Sequence, residues 1–389
     1  MKILFVNAIN NRSPVQTKFK PLAFGYLTAY SRKMGIDFHV EAVNYLDRKV
    51  LCDKQPDVVA FSCVTETYPF VQAYAVLAKR VDPKIKILLG GVHISALPHT
   101  LPHYIDVGII GEGEQTFYEL AQNNFTPHKD IDGLVYWNHD KLVQTNQRQL
   151  IEPLDLIPHP NRNLFGVERE PYIFTSRGCS YRCQFCYSSR FWQKVRLHSA
   201  EYVAAELTDL KHTGAKHVNI YDDTFLLSPP RVQQICELTK HLGLTYTIAA
   251  RANQITPSTA KLLFNFGVTS IGIGFESHSQ RILDLMQKGN TIKDNQQAVD
   301  LLKQAGIRVS GSFIIGYPTE TPEDRQATYQ FIKQNRIHAT IHRLINYPGT
   351  PLYDNGEQWS SYKDCYVEPL TAKIRHIAGR TIRKVKSSV

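Results

Sequence analysis

The chain has 389 residues, 43% of them apolar and 21% charged, with a formal net charge of +10. That length allows two domains with separate cores, and that composition excludes a disordered or fibrous protein. No run approaches eighteen apolar residues, which argues against a membrane span, and the basic residues are scattered rather than gathered into a nucleic-acid footprint.

The first stretch, MKILFVNAINNR, has a short apolar run and no small-residue cleavage site, so it reads as a strand and not as a signal peptide. Strands are predicted at Ile3–Ala8, Phe38–Val43, Val58–Ser62, Ile85–Leu89, Val107–Ile110 and Leu134–Trp137. Helices are predicted between them at Leu22–Met34, Pro69–Val81 and Glu114–Asn123. Buried β runs alternating with amphipathic helices predict a Rossmann-like parallel sheet over residues 1–145. Ligands of such sheets sit at the carboxyl ends of the strands. The loops expected there are Cys63–Thr67, Gly90–Pro98 and Gly111–Glu114, the last reading GEGE. Its two glycines follow a late strand and lack a third, which argues against a dinucleotide fingerprint.

Residues 146–171 lose periodicity, and their closely spaced prolines predict a linker. Strand–helix units then repeat over residues 172–353. Strands are expected at Tyr172–Thr175, His217–Tyr221, Tyr246–Ala250, Ser270–Phe275, Val309–Ile315 and Ala339–Ile345. Helices are expected near Ala200–Thr213, Pro230–Leu242, Pro257–Phe266, Ile292–Ala305 and Pro322–Asn335. Six such units predict a partial (β/α)6 barrel, whose chemistry lies at the carboxyl ends of its strands. Those ends are polar: Asp222 and Asp223, then Arg251, then Glu276, with Ile315 closing the fifth strand. Helix capping accounts for an Asp or a Ser, but Arg and Glu are poor caps. Residues 354–389 form a short extension, basic over its last eighteen residues, best read as a solvated terminal helix.

The first barrel strand runs into YIFTSRGCSYRCQFCY, in which Cys179, Cys183 and Cys186 are spaced C-x-x-x-C-x-x-C and Phe185 precedes the last. Three thiolates on one loop can hold three corners of a cubane iron–sulfur cluster and leave one iron without a protein ligand. An open coordination position suits a catalytic metal site. A structural zinc site wants a fourth ligand, usually in two close pairs. Cys236 and Cys365 are isolated and His198 is the nearest histidine downstream. A ferredoxin-like fourth thiolate is also missing. Seven cysteines used in this way predict a reducing cytoplasm, not a disulfide framework.

The cysteine loop resembles that of the radical S-adenosylmethionine (SAM) superfamily. YDDTF (221–225), AARANQI (249–255), GIGFESHSQRILDLMQKGNT (272–291), GSFIIGYPTET (311–321) and YPGTPLY (347–353) extend the likeness over the barrel. PLAFGYLTAYSRKMG (21–35), ILLGGVHISALP (87–98) and DVGIIGEGEQTFYEL (106–120) resemble the N-terminal cobalamin-binding domain of one subgroup. The resemblance implies a 4Fe-4S cluster on the three cysteines, SAM on the open iron, and SAM contacts from Phe185, Asp222, Asp223, Arg251, Glu276 and Ile315. It implies cobalamin contacts from Thr65, Gly91, His93 and Gly113. Two departures stand. Ser312 and Glu320 only partly meet the fifth-strand pattern G-x-I-x-G-x-x-E, and the cobalt-ligating D-x-H-x-x-G is absent after the first strand. Several members of the subgroup also lack that ligand.

What the resemblance implies is one-electron cleavage of SAM to a 5′-deoxyadenosyl radical, hydrogen abstraction from a substrate carbon, and cobalamin-dependent C-methylation. The alternatives are cyclisation, rearrangement or oxidation without methyl transfer, or a non-catalytic cobalamin or redox-binding protein. The expected partners are a small-molecule or peptide substrate and an external one-electron reductant such as a flavodoxin or ferredoxin, with no membrane and no nucleic acid. A methylthiotransferase is disfavoured, because only Cys52 and Cys63 are available for further cluster ligation in the N-terminal domain.

Overall fold

The computed structural model describes residues 1–9, 20–166 and 170–353. The basic extension, Cys365 and most of the stretch following the first strand lie outside them. The described residues form two compact units, one drawn from 1–168 with 190–196 and the other from 169–189 with 197–353.

In the first unit, β1 (Lys2–Val6), β2 (His39–Val43), β3 (Val58–Ser62), β4 (Lys86–Gly90) and β5 (Val107–Ile109) are parallel in the order 2-1-3-4-5. The direction of winding reverses between β1 and β3, the kind of switch point at which doubly wound sheets bind ligands. The expectation of a parallel sheet needs one correction. β6 (Leu134–Asn138) runs antiparallel to β5, and an unanticipated β7 (Lys141–Gln144) pairs back on it as a hairpin.

Strand periodicity divides the core in two. Ile3, Phe5, Val58, Ala60 and Leu88 pack with Phe24 of α1 (Leu22–Lys33) and with Phe117 and Leu120 of α5 (Glu114–Gln122). The alternate residues Leu4, Val6, Val59, Phe61, Ile87 and Leu89 face the other way. They meet Leu51 of α2 (Arg48–Lys54), Val71, Ala75 and Ala78 of α3 (Tyr68–Val81), and Ile94 of α4 (Val92–Ala96). Period-two burial against helices on both faces explains why these strands read as nearly continuous apolar runs.

In the second unit β8 (Tyr172–Ile173), β9 (His217–Ile220), β10 (Thr245–Ala250), β11 (Val268–Glu276), β12 (Arg308–Ile315) and β13 (His338–Arg343) are all parallel and adjacent in sequence order. That is a partial barrel, with β8 and β13 at its two edges. Tyr246, Ile248 and Ala250 of β10 pack with Val203, Leu207 and Leu210 of α6 (Ala200–His212) and Val232 and Ile235 of α7 (Pro229–Thr239) in one core. The alternate residues Thr245, Thr247 and Ala249 are only partly buried. The helices start at side-chain caps: Ser199 accepts from Tyr202 N ahead of α6, and Thr256 accepts from Thr259 N ahead of α8 (Pro257–Phe266). Thr291 and Asp294 form a reciprocal capping box at the start of α10 (Ile292–Gln304), and Thr321 and Asp324 form another at α11 (Pro322–Gln334). Between β11 and α10 lies a shorter helix, α9 (Gln280–Leu285).

Candidate active site

Parallel strands that end together deliver their following residues to one rim. β8 leads through Thr175 into the cysteine loop, β9 into Asp222 and Asp223, β10 into Arg251, β11 ends on Glu276, and β12 ends on Ile315.

Cys179, Cys183 and Cys186 are thiols, none of them in a disulfide. Gly178, at φ +95°, turns the chain into their loop, and Gln184 N donates to Met286 O at 3.0 Å, which ties the loop to the end of α9. Burial pushes the Cys179 thiol up and raises Cys186 to about 11. Thiolates here therefore need compensating positive charge, which a metal supplies. Among the described residues, no three His, Cys, Asp or Glu side chains lie close enough to hold a single metal ion. A cubane, whose irons are set apart by its own sulfides, accepts thiolates spread more widely, so the donor set fits a cluster better than zinc. His198 is not a nearby ligand in waiting: its ring is buried and stacked on Tyr202 at 3.8 Å. Cys236 is packed in the barrel core, whereas Cys52 is exposed on α2.

Arg251 is 5% exposed, and its Nη1 lies 3.5 Å from Cys183 Sγ. Its guanidinium carbon sits 3.5 Å from the centre of the Tyr181 ring, and among the described residues its Nε and Nη2 have no hydrogen-bond partner. Glu276, 7% exposed, bonds through Oε1 to Lys288 Nζ at 3.0 Å. The Glu276 backbone adopts φ +63° at an irregularity in the β11–β12 pairing, an unusual conformation for a non-glycine residue. A side chain at Gly274 would come within 2.4 Å of Glu276 Oε1 and 3.0 Å of Lys288 Nζ, so it would displace the ion pair as it stands. Phe185 packs against Ile282, Met286, Ile314 and Tyr317, and Lys288 Nζ lies 5.9 Å from its ring.

The two aspartates part company. Asp222, 3% exposed, accepts from Thr175 N at 2.6 Å, Thr175 Oγ1 at 2.5 Å and Ser176 N at 3.2 Å. Burial raises its carboxyl pKa against the pull of those bonds. It clamps the entrance to the cysteine loop through these bonds. Asp223 is exposed and accepts from Ser188 Oγ just beyond the cysteines. Ile315 lies at the rim before Gly316, and its carbonyl accepts from Leu344 N.

In the first unit, the expected ligand loops are again at carboxyl ends. Gly91 has φ +101°, and a Cβ there would lie 2.5 Å from Cys63 O and 2.7 Å from Cys63 N. Its glycine is demanded by the close packing of the β3 and β4 ends. Gly111, at φ +74°, faces open space, and its N–H donates to Ser95 Oγ. Gly113 precedes α5 in an ordinary right-handed conformation. Thr65 and His93, two of the expected corrin contacts, are hydrogen-bonded to each other. His93 is fully buried, with Nδ1 3.3 Å from Thr65 Oγ1, Nε2 3.3 Å from Thr100 Oγ1, and its ring stacked on Tyr68 at 3.9 Å. Burial lowers its pKa to about 4, so it is a neutral buried residue. A Cβ at Gly111 would meet nothing within 4 Å, so the backbone there is open to close approach.

Sequence reasoning missed Lys288 and Tyr181, and it named Gly111 only as part of its loop. Lys288 stands within a segment whose family likeness was evident, but only the fold brings it to a carboxylate twelve residues earlier.

Residues 173–332 match the radical SAM superfamily and residues 12–121 match the B12 binding domain. An uncharacterized methyltransferase of Pyrococcus horikoshii is 32% identical over 420 residues, an alignment spanning 99% of this chain and 90% of that protein. An anaerobic magnesium-protoporphyrin IX monomethyl ester cyclase of Rubrivivax gelatinosus is 28% identical over 428 residues, spanning 100% of this chain and 76% of the cyclase. The radical SAM methyltransferase TsrM from Kitasatospora setae, solved with cobalamin and a [4Fe-4S] cluster, shares the fold. Its TM-score is 0.75 at 20% identity, over 90% of this chain and 73% of that one. The chain thus belongs to the radical SAM superfamily, among the members that carry an N-terminal B12-binding domain. The cofactors of that family are a 4Fe-4S cluster, SAM and cobalamin. Among the described residues, no helix is long and apolar enough to cross a membrane.

Proposed function

We infer that this protein is a C-methyltransferase acting on an unactivated carbon of a small-molecule or peptide substrate in a reducing cytoplasm, supplied with electrons by a flavodoxin or ferredoxin. The observation that carries the reading is the rim of the barrel: three thiols on one loop, beside a buried guanidinium with two donors unused among the described residues. A second unit of B12-binding type lies in the same chain.

When bound, the cluster supplies the electron that cleaves SAM, and cobalamin supplies the methyl group. The protein's own residues hold and orient. Cys179, Cys183 and Cys186 provide the three thiolates. The free nitrogens of Arg251 suit the SAM carboxylate, as a planar fork of donors suits any carboxylate. Glu276, held by Lys288, is assigned to the ribose hydroxyls, Asp223 to the amino group, and Ile315 with Phe185 to the apolar faces beside the adenine. Asp222 positions the loop through Thr175 and Ser176. In the first unit we assign the corrin to the backbone from Gly111 to Gly113, with Thr65 and Gly91 shaping the wall. The division into a linker at 146–171, a barrel at 172–353 and a short extension at 354–389 belongs to the same reading.

The cyclase of Rubrivivax gelatinosus, which aligns over the whole of this chain, favours a second reading, ring closure without methyl transfer. Anaerobic reconstitution tests the common part. Changing any one of the three cysteines to Ala is expected to abolish 5′-deoxyadenosine formation and most bound iron, while Cys236→Ala leaves both. A Cys186→Ala protein that still cleaves SAM defeats the assignment. Methylation of cob(I)alamin by SAM then separates methyl transfer from cyclisation.

A further inference from the structure

A buried cation normally has a counter-ion, because an unpaired charge out of water costs several kcal/mol. Lys288 obeys that rule through Glu276. Arg251 does not: among the described residues its side chain contacts a thiol sulfur, a phenol ring and no carboxylate, and two of its nitrogens have no partner. A guanidinium cannot shed its proton to escape the cost. What the site holds must therefore compensate the charge, and the nearest candidate anion is Cys183 as a ligated thiolate.

The guanidinium is also held in place. The Tyr181 ring covers one side, and a side chain added at Gly289 would stand 3.9 Å from both Arg251 Nη2 and Tyr181 Cδ1, so the Lys288–Asn290 loop encloses it. Asn253 Nδ2 donates to Gly289 O at 3.0 Å and fixes that loop. An Arg allowed to swing would make an averaged contact with sulfur. This one makes a fixed contact.

Hydrogen bonds to cluster sulfurs and nearby net charge are two of the levers that set an iron–sulfur reduction potential. Both act here in one direction, because a donor and a positive charge favour the reduced, more negative cluster. We propose that Arg251 raises the reduction potential of the cluster through its contact with Cys183, and that Tyr181 is the positioning residue that keeps the guanidinium on the sulfur. This role rests on the cluster assignment above and is separate from any contact Arg251 makes with SAM.

The test is a redox titration of the reconstituted protein, without SAM, followed by electron paramagnetic resonance. Arg251→Met is expected to bind iron like the unaltered protein and to show a more negative midpoint. Arg251→Lys keeps the charge but loses the planar fork, and its shift is expected to be smaller. Tyr181→Leu, which frees the guanidinium, should shift the midpoint in the same direction by a lesser amount. These two milder variants keep the test decisive where Arg251→Met retains too little iron. A purely structural Arg251 would alter iron retention and leave the midpoint alone. Midpoints unmoved in iron-replete variants overturn the proposal, whereas unaltered protein that binds no iron overturns the cluster assignment itself.

Discussion

At the scale of single residues, burial decides which polar groups serve chemistry and which serve the core. Glu276 and Lys288 are both buried and paired, so removing one partner strands the other's charge. Lys288→Met is expected to destabilise the barrel unit by about 3–5 kcal/mol, read from urea unfolding. The double change with Glu276→Gln should recover most of the loss, and a single change costing under about 1 kcal/mol would show that water reaches the carboxylate. His93 gives a pH dependence of definite sign. Its pKa falls from an ordinary value near 6.5 to about 4, so between those values the unfolded chain binds the proton and the folded one does not. Stability from this group is complete above about 6.5, falls as pH drops toward 4, and levels off below, a loss on the order of 3 kcal/mol. Comparing unfolding at pH 7 and pH 4.5 in the unaltered protein and in His93→Gln isolates that contribution. Equal pH dependence in the two would show that His93 is hydrated.

At the scale of elements, glycine separates two loops that look alike in sequence. Gly91→Ala combines a left-handed backbone with a Cβ 2.5 Å from a backbone oxygen, while Gly111→Ala meets only the backbone penalty. The first is expected to cost the N-terminal unit at least 2 kcal/mol more than the second, roughly the price of overpacking against an unyielding wall. Urea midpoints of the two variants check the order, and a reversal would mean that Gly111 is as crowded as Gly91. Most elements were legible before the fold was known because their signal is local. Val58–Ser62 and Pro257–Phe266 fall where the pattern put them, and the other long strands and helices shift only at their ends. The misses are short or tertiary. α2 buries only Leu51, α4 and α9 are five and six residues long, and the β6–β7 hairpin turns through His139 at φ +51°, where a glycine would have announced it. The cysteine spacing was legible as chemistry. The fates of Asp222 and His93 were not, since a side chain's inward turn is a property of its neighbours.

At the scale of the molecule, each compact unit owns a core, the two faces of the seven-stranded sheet in one and the strand–helix interface of the barrel in the other. Units with separate cores can lose one ligand site without losing the other. Cobalamin retention and iron retention are therefore expected to be separable by mutation. Cys186→Ala should lose most of its iron but still carry near-stoichiometric cobalamin through anaerobic gel filtration, read by absorbance. Gly91→Ala should keep its iron and lose much of its cobalamin, because the walls beside Gly111 are built on the packing it disrupts. Loss of both ligands in both variants would mean that the units fold as one cooperative block, contrary to the division of their cores. Retention of cobalamin by Gly91→Ala, with its iron intact, would instead move the corrin away from the β3–β5 loops. Each pattern of the two ligands thus points to a different unit, since the cysteine loop and Gly111 follow strands of separate sheets.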